Sequence, residues 1–155
     1  MRKIWIVSVV LLLCLVVCSA CATDPVKFVD LSAVCAQLKR DLPIQDPLDI
    51  PTERLADLYG IQAQDVRTAA GFVTRGGALP DEVVMVEAAD GAAAARISQQ
   101  LQTHLAEITV QAQNYDAQSY AQFQKCQVRT VGNYVTLFCS AQAEQMQEIF
   151  DKAVN

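Results

Sequence analysis

Apolar residues recur along this chain at several spacings, and each spacing predicts a different element. Ile4 to Val17 (IWIVSVVLLLCLVV) is an almost continuous apolar run, with Met1-Arg2-Lys3 before it and Cys18-Ser19-Ala20-Cys21-Ala22 after it. A basic head, a short apolar segment and a run of small residues make an export signal. The head stays in the cytoplasm, the apolar part enters the membrane, and the small residues fit a peptidase groove. The run is shorter than the roughly 20 residues of a permanent span, so cleavage is expected.

Beyond it the spacing becomes helical. Leu31, Val34, Cys35, Leu38 and Leu42 form one stripe behind Asp30, whose side chain suits an N-cap. Pro43, Pro47 and Pro51 then predict an irregular connection. A short helix through Leu55, Leu58 and Tyr59 ends at Gly60, which suits a left-handed cap, with Ile61 folding back onto the last turn. Alternation follows. Asp65 to Thr74 predicts a strand with Val66, Thr68, Ala70 and Phe72 on one side, and Asp81 to Ala88 predicts a second. The longest helix starts at Asp90-Gly91 and runs to about Gln113, burying Ile97, Leu101, Leu105, Ile108 and Ala112. Cys126 to Val131 and Tyr134 to Cys139 flank Gly132-Asn133, a two-residue hairpin turn. A last helix buries Ala143, Met146, Ile149, Phe150 and Ala153.

The expected fold is α+β: an antiparallel four-stranded sheet from two β-hairpins in ββαββα order. Helices pack mainly on one face, and one or two helices precede the sheet. Residues 1–21 are the signal, 22–29 a tether and 30–155 a single domain.

Ser19-Ala20-Cys21 has the ending of a lipobox, which makes Cys21 a lipidation site, although Cys18 occupies the usual aliphatic position. Ala20-Cys21-Ala22 also fits ordinary signal peptidase, which would leave Thr23 first. Cys18-x-x-Cys21 straddles the cut and is not read as a redox or metal pair.

A chain starting at Cys21 carries ten basic and 17 acidic residues, a net charge of -7. No cationic cluster remains to displace counterions from phosphates, so a nucleic-acid partner is excluded.

Export permits disulfides. The two-residue turn sets Cys126 opposite Cys139 in a non-hydrogen-bonded pair, whose alpha carbons lie about 4.5 Å apart; a disulfide tolerates that spacing. The alternative is two reduced core thiols. Cys35 lies in a helical apolar stripe and reads as a small buried hydrophobe. His104, the single histidine, lies beside an apolar helix edge with no partner that spacing identifies, and reads as a boundary residue. Asp46 and Asp49 lack the further oxygen ligands of a calcium loop. Asp57, Asp65, Glu82 and Glu87 read as surface charges. No metal set, cofactor motif or catalytic constellation is present. Tyr115, Tyr120 and Phe123 fall together in a polar stretch, either plugging the end of the core or forming an interaction surface.

Three stretches resemble the bacterial lipoproteins that carry domain of unknown function 4358. They are Leu55-Ala56-Asp57-Leu58-Tyr59-Gly60-Ile61 with Asp65 behind it, Asp81-Glu82-Val83-Val84-Met85-Val86 leading to Asp90-Gly91, and Gly132-Asn133-Tyr134-Val135 with the closing helix to Phe150. The resemblance covers most of residues 30–153 and implies no catalytic residues. The expected function is a non-enzymatic binding or interaction domain on the outer face of the cytoplasmic membrane. It would be held there by lipid on Cys21 and meet another envelope protein. The alternatives are a secreted, unanchored domain and an extracytoplasmic thiol-redox or hydrolytic enzyme.

Overall fold

A computed structural model describes residues 27–75 and 80–155. The expected export signal and Cys21 lie outside the described residues. Helix α1 (Leu31–Asp41) starts where Asp30 accepts from the Ser32 and Ala33 amides, the N-cap expected from its side chain. Strand β1 (Pro47–Asp49) comes next, then a 3-10 turn (Thr52–Arg54) running into α2 (Leu55–Tyr59). Gly60 ends α2 with φ 72°, and the Ile61 amide reaches back to the Leu55 carbonyl at 3.2 Å. A second 3-10 turn (Ala63–Asp65) leads into β2 (Val66–Thr74), followed by β3 (Glu82–Ala88) and α3 (Gly91–Tyr115). The chain finishes with α4 (Ala117–Phe123), β4 (Val128–Val131), β5 (Tyr134–Cys139) and α5 (Ala143–Val154).

The sheet is antiparallel, in the order β1-β2-β3-β5-β4, so it has five strands where the sequence suggested four. The extra strand comes from the proline-rich connection. Pro47 opens it, and at an edge a missing amide costs no ladder bond. Its three residues pair with Phe72 to Thr74 and are all exposed, so no alternation announces them.

Helices cover both faces of the sheet, not mainly one. Val84, Val86, Val135 and Leu137 face α2 and α3, packing on Leu55, Ala93, Ile97 and Leu101. Val83, Met85, Tyr134 and Phe138 face α1 and α5, packing on Leu38, Met146 and Phe150. The central strands are therefore apolar at nearly every position, like strands buried on both sides. The expected single face of β2 also fails. The register shifts between Val66 and Thr68, a bulge that adds one residue and turns the following side chains over. Val66 thus packs toward α3, whereas Ala70 and Phe72 pack toward α1 and α5.

The hairpin register is as expected, from Val131 opposite Tyr134 to Val128 opposite Leu137. Gly132 has φ 57° and Asn133 does not share a positive φ, the pattern of a type II′ turn. The ladder stops at Val128, however. The Cys126 amide donates to the Phe123 carbonyl at 3.0 Å, closing the turn after α4, so strand geometry does not reach Cys126. Cys35, Cys126 and Cys139 are free, buried thiols, so of the two alternatives for Cys126 and Cys139 the structure has the reduced core pair and not the disulfide.

Val29 is buried, and its amide donates to the Tyr134 hydroxyl at 3.0 Å, which pins the start of the domain beside the β4–β5 turn. From that end α3 runs back along the sheet. Its 25 residues span about 37 Å, well beyond the roughly 20 Å of β3. The second half of α3 therefore overhangs the opposite end, where α4 folds against it.

Candidate functional site

At the end of the sheet far from Val29, Tyr59, Glu82 and His104 converge from α2, β3 and α3. Three local rules bring them together. Tyr59 is the last residue of α2, held inward by the glycine cap. Glu82 opens β3, on the face shared with Val84 and Val86. His104 lies 13 residues into α3, about 20 Å along it, which matches the length of β3 read in the opposite direction.

The Tyr59 hydroxyl donates to Glu82 Oε1 at 2.7 Å. His104 Nε2 sits 3.0 and 3.1 Å from the two Glu82 oxygens. This double contact with one carboxylate orients the His104 ring. The Tyr59 and His104 rings meet edge to face with centroids 4.8 Å apart. Burial, then the adjacent Glu82 charge, pushes the Tyr59 hydroxyl well above its usual pKa, so it stays a donor. Glu82 and His104 side chains are 16% and 19% exposed, so the pair is sheltered but reaches solvent.

Two thiols complete this end. Glu82 pairs in register with Cys139 on β5, and Cys139 neighbours Cys126. The adjacent Cys139 thiol lowers the Cys126 pKa, and the same neighbour together with burial raises that of Cys139. Cys126 in its thiol form donates to the Gln122 carbonyl at 3.3 Å. Gln122 Nε2 donates to the Pro80 carbonyl at 3.0 Å, while its buried Oε1 has no partner among the described residues.

The arrangement can orient an imidazole and hold a hydroxyl as donor, with two buried thiols at the same end of the sheet. The same residues looked unrelated along the chain, where Tyr59, Glu82 and His104 are each 22 or 23 positions from the next. Their shared strand end became visible only with the position of α3 known. Among the described residues no three His, Cys, Asp or Glu side chains converge as a metal site.

Other expected surface charges are also paired. Asp65 is buried and takes a two-pronged bond from Arg96, Nε to Oδ2 at 3.1 Å and a terminal nitrogen to Oδ1 at 2.6 Å. That bond holds its carboxyl below the usual range. Glu87 is buried too, accepting from Arg67 at 3.2 Å and Thr68 at 3.3 Å. Asp57 stays exposed beside Arg54. Asp46 and Asp49 meet Arg75 and Lys39, respectively.

The three candidate interaction residues divide. Phe123 packs on the core, Tyr120 is half-buried with its hydroxyl accepting from Gln124, and Tyr115 ends α3 with 87% of its surface exposed. Val110, one and a half turns earlier, is 59% exposed. The pair sits on the overhang, the part of the described fold farthest along α3 from the Val29 end.

No curated protein and no solved structure matches the chain. A family model, "Domain of unknown function (DUF4358)", matches residues 40–140. That span runs from the end of α1 through β5 and contains every member of the Tyr59–Glu82–His104 cluster and both thiols. It is well over half of the sequence, and the chain belongs to the DUF4358 family.

Proposed function

We propose that this protein is a non-enzymatic interaction domain held on the outer face of the cytoplasmic membrane by lipid on Cys21, which presents its α3–α4 overhang to another envelope protein. One observation carries this reading. Val29 is tied down at one end of the sheet, while exposed Val110 and Tyr115 lie on the overhang at the other. Cys21 precedes Val29 by eight residues, and eight residues of chain reach at most about 28 Å whatever their conformation. A lipid at Cys21 keeps the Val29 end near the bilayer and turns the overhang outward. Exposed aromatic surface of this kind supplies rigid contact area for a partner.

The test is the intact mass of the mature protein extracted from its native membrane. A start at Cys21 with added acyl mass supports the anchor, and a bare chain starting at Thr23 overturns it. The same spectrum before and after reduction checks the 126–139 bridge. A gain of two hydrogens means that Cys126 leaves its turn to pair with Cys139 in the cell.

A second reading, an extracytoplasmic enzyme, is favoured by the His104–Glu82 pair at the strand end that also carries Cys139, with Cys126 next to it. Iodoacetamide labelling of the folded protein separates the two. Labelling of Cys126 at a rate that Glu82→Gln alters supports thiol chemistry, and an inert Cys126 returns the cluster to structure.

A further inference from the structure

Among the described residues both outer strands of the sheet have a free edge, and the edge at β4 differs from the one at β1. Strand β1 has three residues, begins at Pro47 and is followed by Pro51, which leaves little backbone to pair. Strand β4 carries no proline. In a hairpin closed by a two-residue turn, the pair next to the turn exchanges both hydrogen bonds and the next pair exchanges none. Val131 and Arg129 therefore bond to β5, whereas Thr130 and Val128 turn their amides and carbonyls to the open edge.

A groove flanks this edge on each face. Toward α3 lies a shallow groove of about 420 Å³, lined by Ala94, Ala95, Ser98, Gln99 and Gln102 with Thr130 at its margin. Toward α5 lies one of about 240 Å³, lined by Lys125, Gln127, Arg129, Phe138 and Glu144. Alternate side chains of an added strand fall on opposite faces, so its two rows would enter the two grooves.

The charges differ between the grooves. The α3 groove is lined by small and uncharged polar side chains. The α5 groove holds two cations against one carboxylate, in a chain whose net charge is negative. Lys125 forms no ion pair among the described residues, whereas Lys39, Arg40, Arg54, Arg67, Arg75 and Arg96 each have a carboxylate partner. Arg129 meets Asp151 at 3.3 Å with both side chains well exposed, a pair that adds little stability and leaves guanidinium donors free.

We infer that β4 receives an extended segment of another protein as a sixth strand, with acidic side chains toward Lys125 and Arg129 and small uncharged ones toward Ser98 and Gln99. Backbone bonds at Val128 and Thr130 hold the segment, and the two grooves select it. This site is independent of the anchor and of the overhang. An unlipidated mature chain leaves it intact.

The test uses the full mature protein and a capped eight-residue peptide alternating Glu and Thr, with the Lys–Thr peptide as control. Amide hydrogen exchange is followed residue by residue by NMR. The Glu–Thr peptide at saturation is expected to slow exchange at Val128 and Thr130 at least tenfold, leaving Arg129 and Val131 as protected as before. The Lys–Thr peptide is expected to bind at least tenfold more weakly. Thr130→Pro, which removes an outward amide from an edge position, is expected to abolish the protection. If that variant fails to fold, Lys125→Glu on the exposed surface carries the test by reversing the preference between the two peptides. Unchanged exchange at Val128 and Thr130 under millimolar Glu–Thr peptide overturns the inference, as does equal binding of both peptides. Protection that grows with protein concentration alone also overturns it, because the edge then pairs with a second copy of this chain.

Discussion

The two faces of the sheet are packed by different means. Toward α1 and α5 the interior is large and apolar. Phe150 meets Tyr134 and Phe138 edge to face, at 6.3 and 6.2 Å between centroids, with Phe72, Met85 and Met146 filling the space around them. Toward α3 the interior is built from Ala88, Ala93, Ala94 and mid-sized aliphatics, and polar groups enter at its end: Tyr59, Glu82, His104 and the two thiols. Small side chains bring the helix close to the sheet. Only a close helix lets His104 reach a carboxylate on a strand. The first face supplies bulk stability, and the second gives up some of that stability to hold polar groups in fixed geometry.

The largest expected effect lies on the apolar face. Phe150→Ala empties a fully buried site where three aromatic rings meet. It is expected to cost about 3–5 kcal/mol, read as a lower urea midpoint with unchanged slope. A loss below about 1 kcal/mol is inconsistent with α5 packed on this sheet.

On the α3 face the expected effect is smaller and depends on the partner. Glu82→Ala leaves the buried Tyr59 hydroxyl without its acceptor, an expense of about 1–3 kcal/mol. Adding Tyr59→Phe removes the orphaned group, so the double variant should be less destabilised than the sum of the two singles. Strict additivity in that cycle means the 2.7 Å hydrogen bond contributes nothing.

These two faces were unequally legible in the sequence. The elements of the apolar face follow from spacing alone, because Leu31 to Leu38 and Met146 to Phe150 repeat at helical intervals. That the two helices share a face opposite α3 did not follow. Strands buried on both sides lose their alternation, and a run such as Val83-Val84-Met85-Val86 says nothing about which layer lies on which side. The short strand at Pro47 was hidden because all three of its residues are exposed. The bulge at Arg67 was hidden because it changes register without changing composition. Helix α4, with Asp116 capping it at 3.0 and 3.1 Å, was read as a connection because its apolar residues are too few for a stripe. Glu82 and His104 lay in correctly assigned elements, yet their contact depends on how far α3 slides along β3, a distance no local pattern encodes.

Asp65 provides a pH-dependent test of the α3 face. Its carboxyl is held below the ordinary range by the Arg96 bond, so the folded state binds that proton less readily than the unfolded chain. The contribution is fully present above the unfolded pKa, near 3.9, and is lost as pH falls through the depressed folded value. Asp65→Asn is therefore expected to lower the melting temperature at neutral pH, and the gap to the native protein should narrow as pH falls below the unfolded pKa, near 3.9. A gap that does not change over that range would show that the ion pair adds no stability.

Tyr115 is expected to show the smallest effect on stability. Buried residues on either face cannot be altered without disturbing the fold, so loss of binding in such variants says little about a surface. With 87% of its area exposed, Tyr115 touches little of the core. Tyr115→Ala is expected to shift stability by less than about 0.5 kcal/mol. Phe123→Ala, cut from a side chain packed on the α3-face core, should destabilise more. Capture of an envelope partner should follow the opposite order, falling most with Tyr115→Ala. Equal capture by both variants and the native chain, measured on intact membranes, would remove the overhang as the contact surface. Partner loss that tracks stability instead would assign the aromatic segment to the core. Only the combination of unchanged melting and lost capture at Tyr115 separates a surface that binds from a surface that is merely exposed.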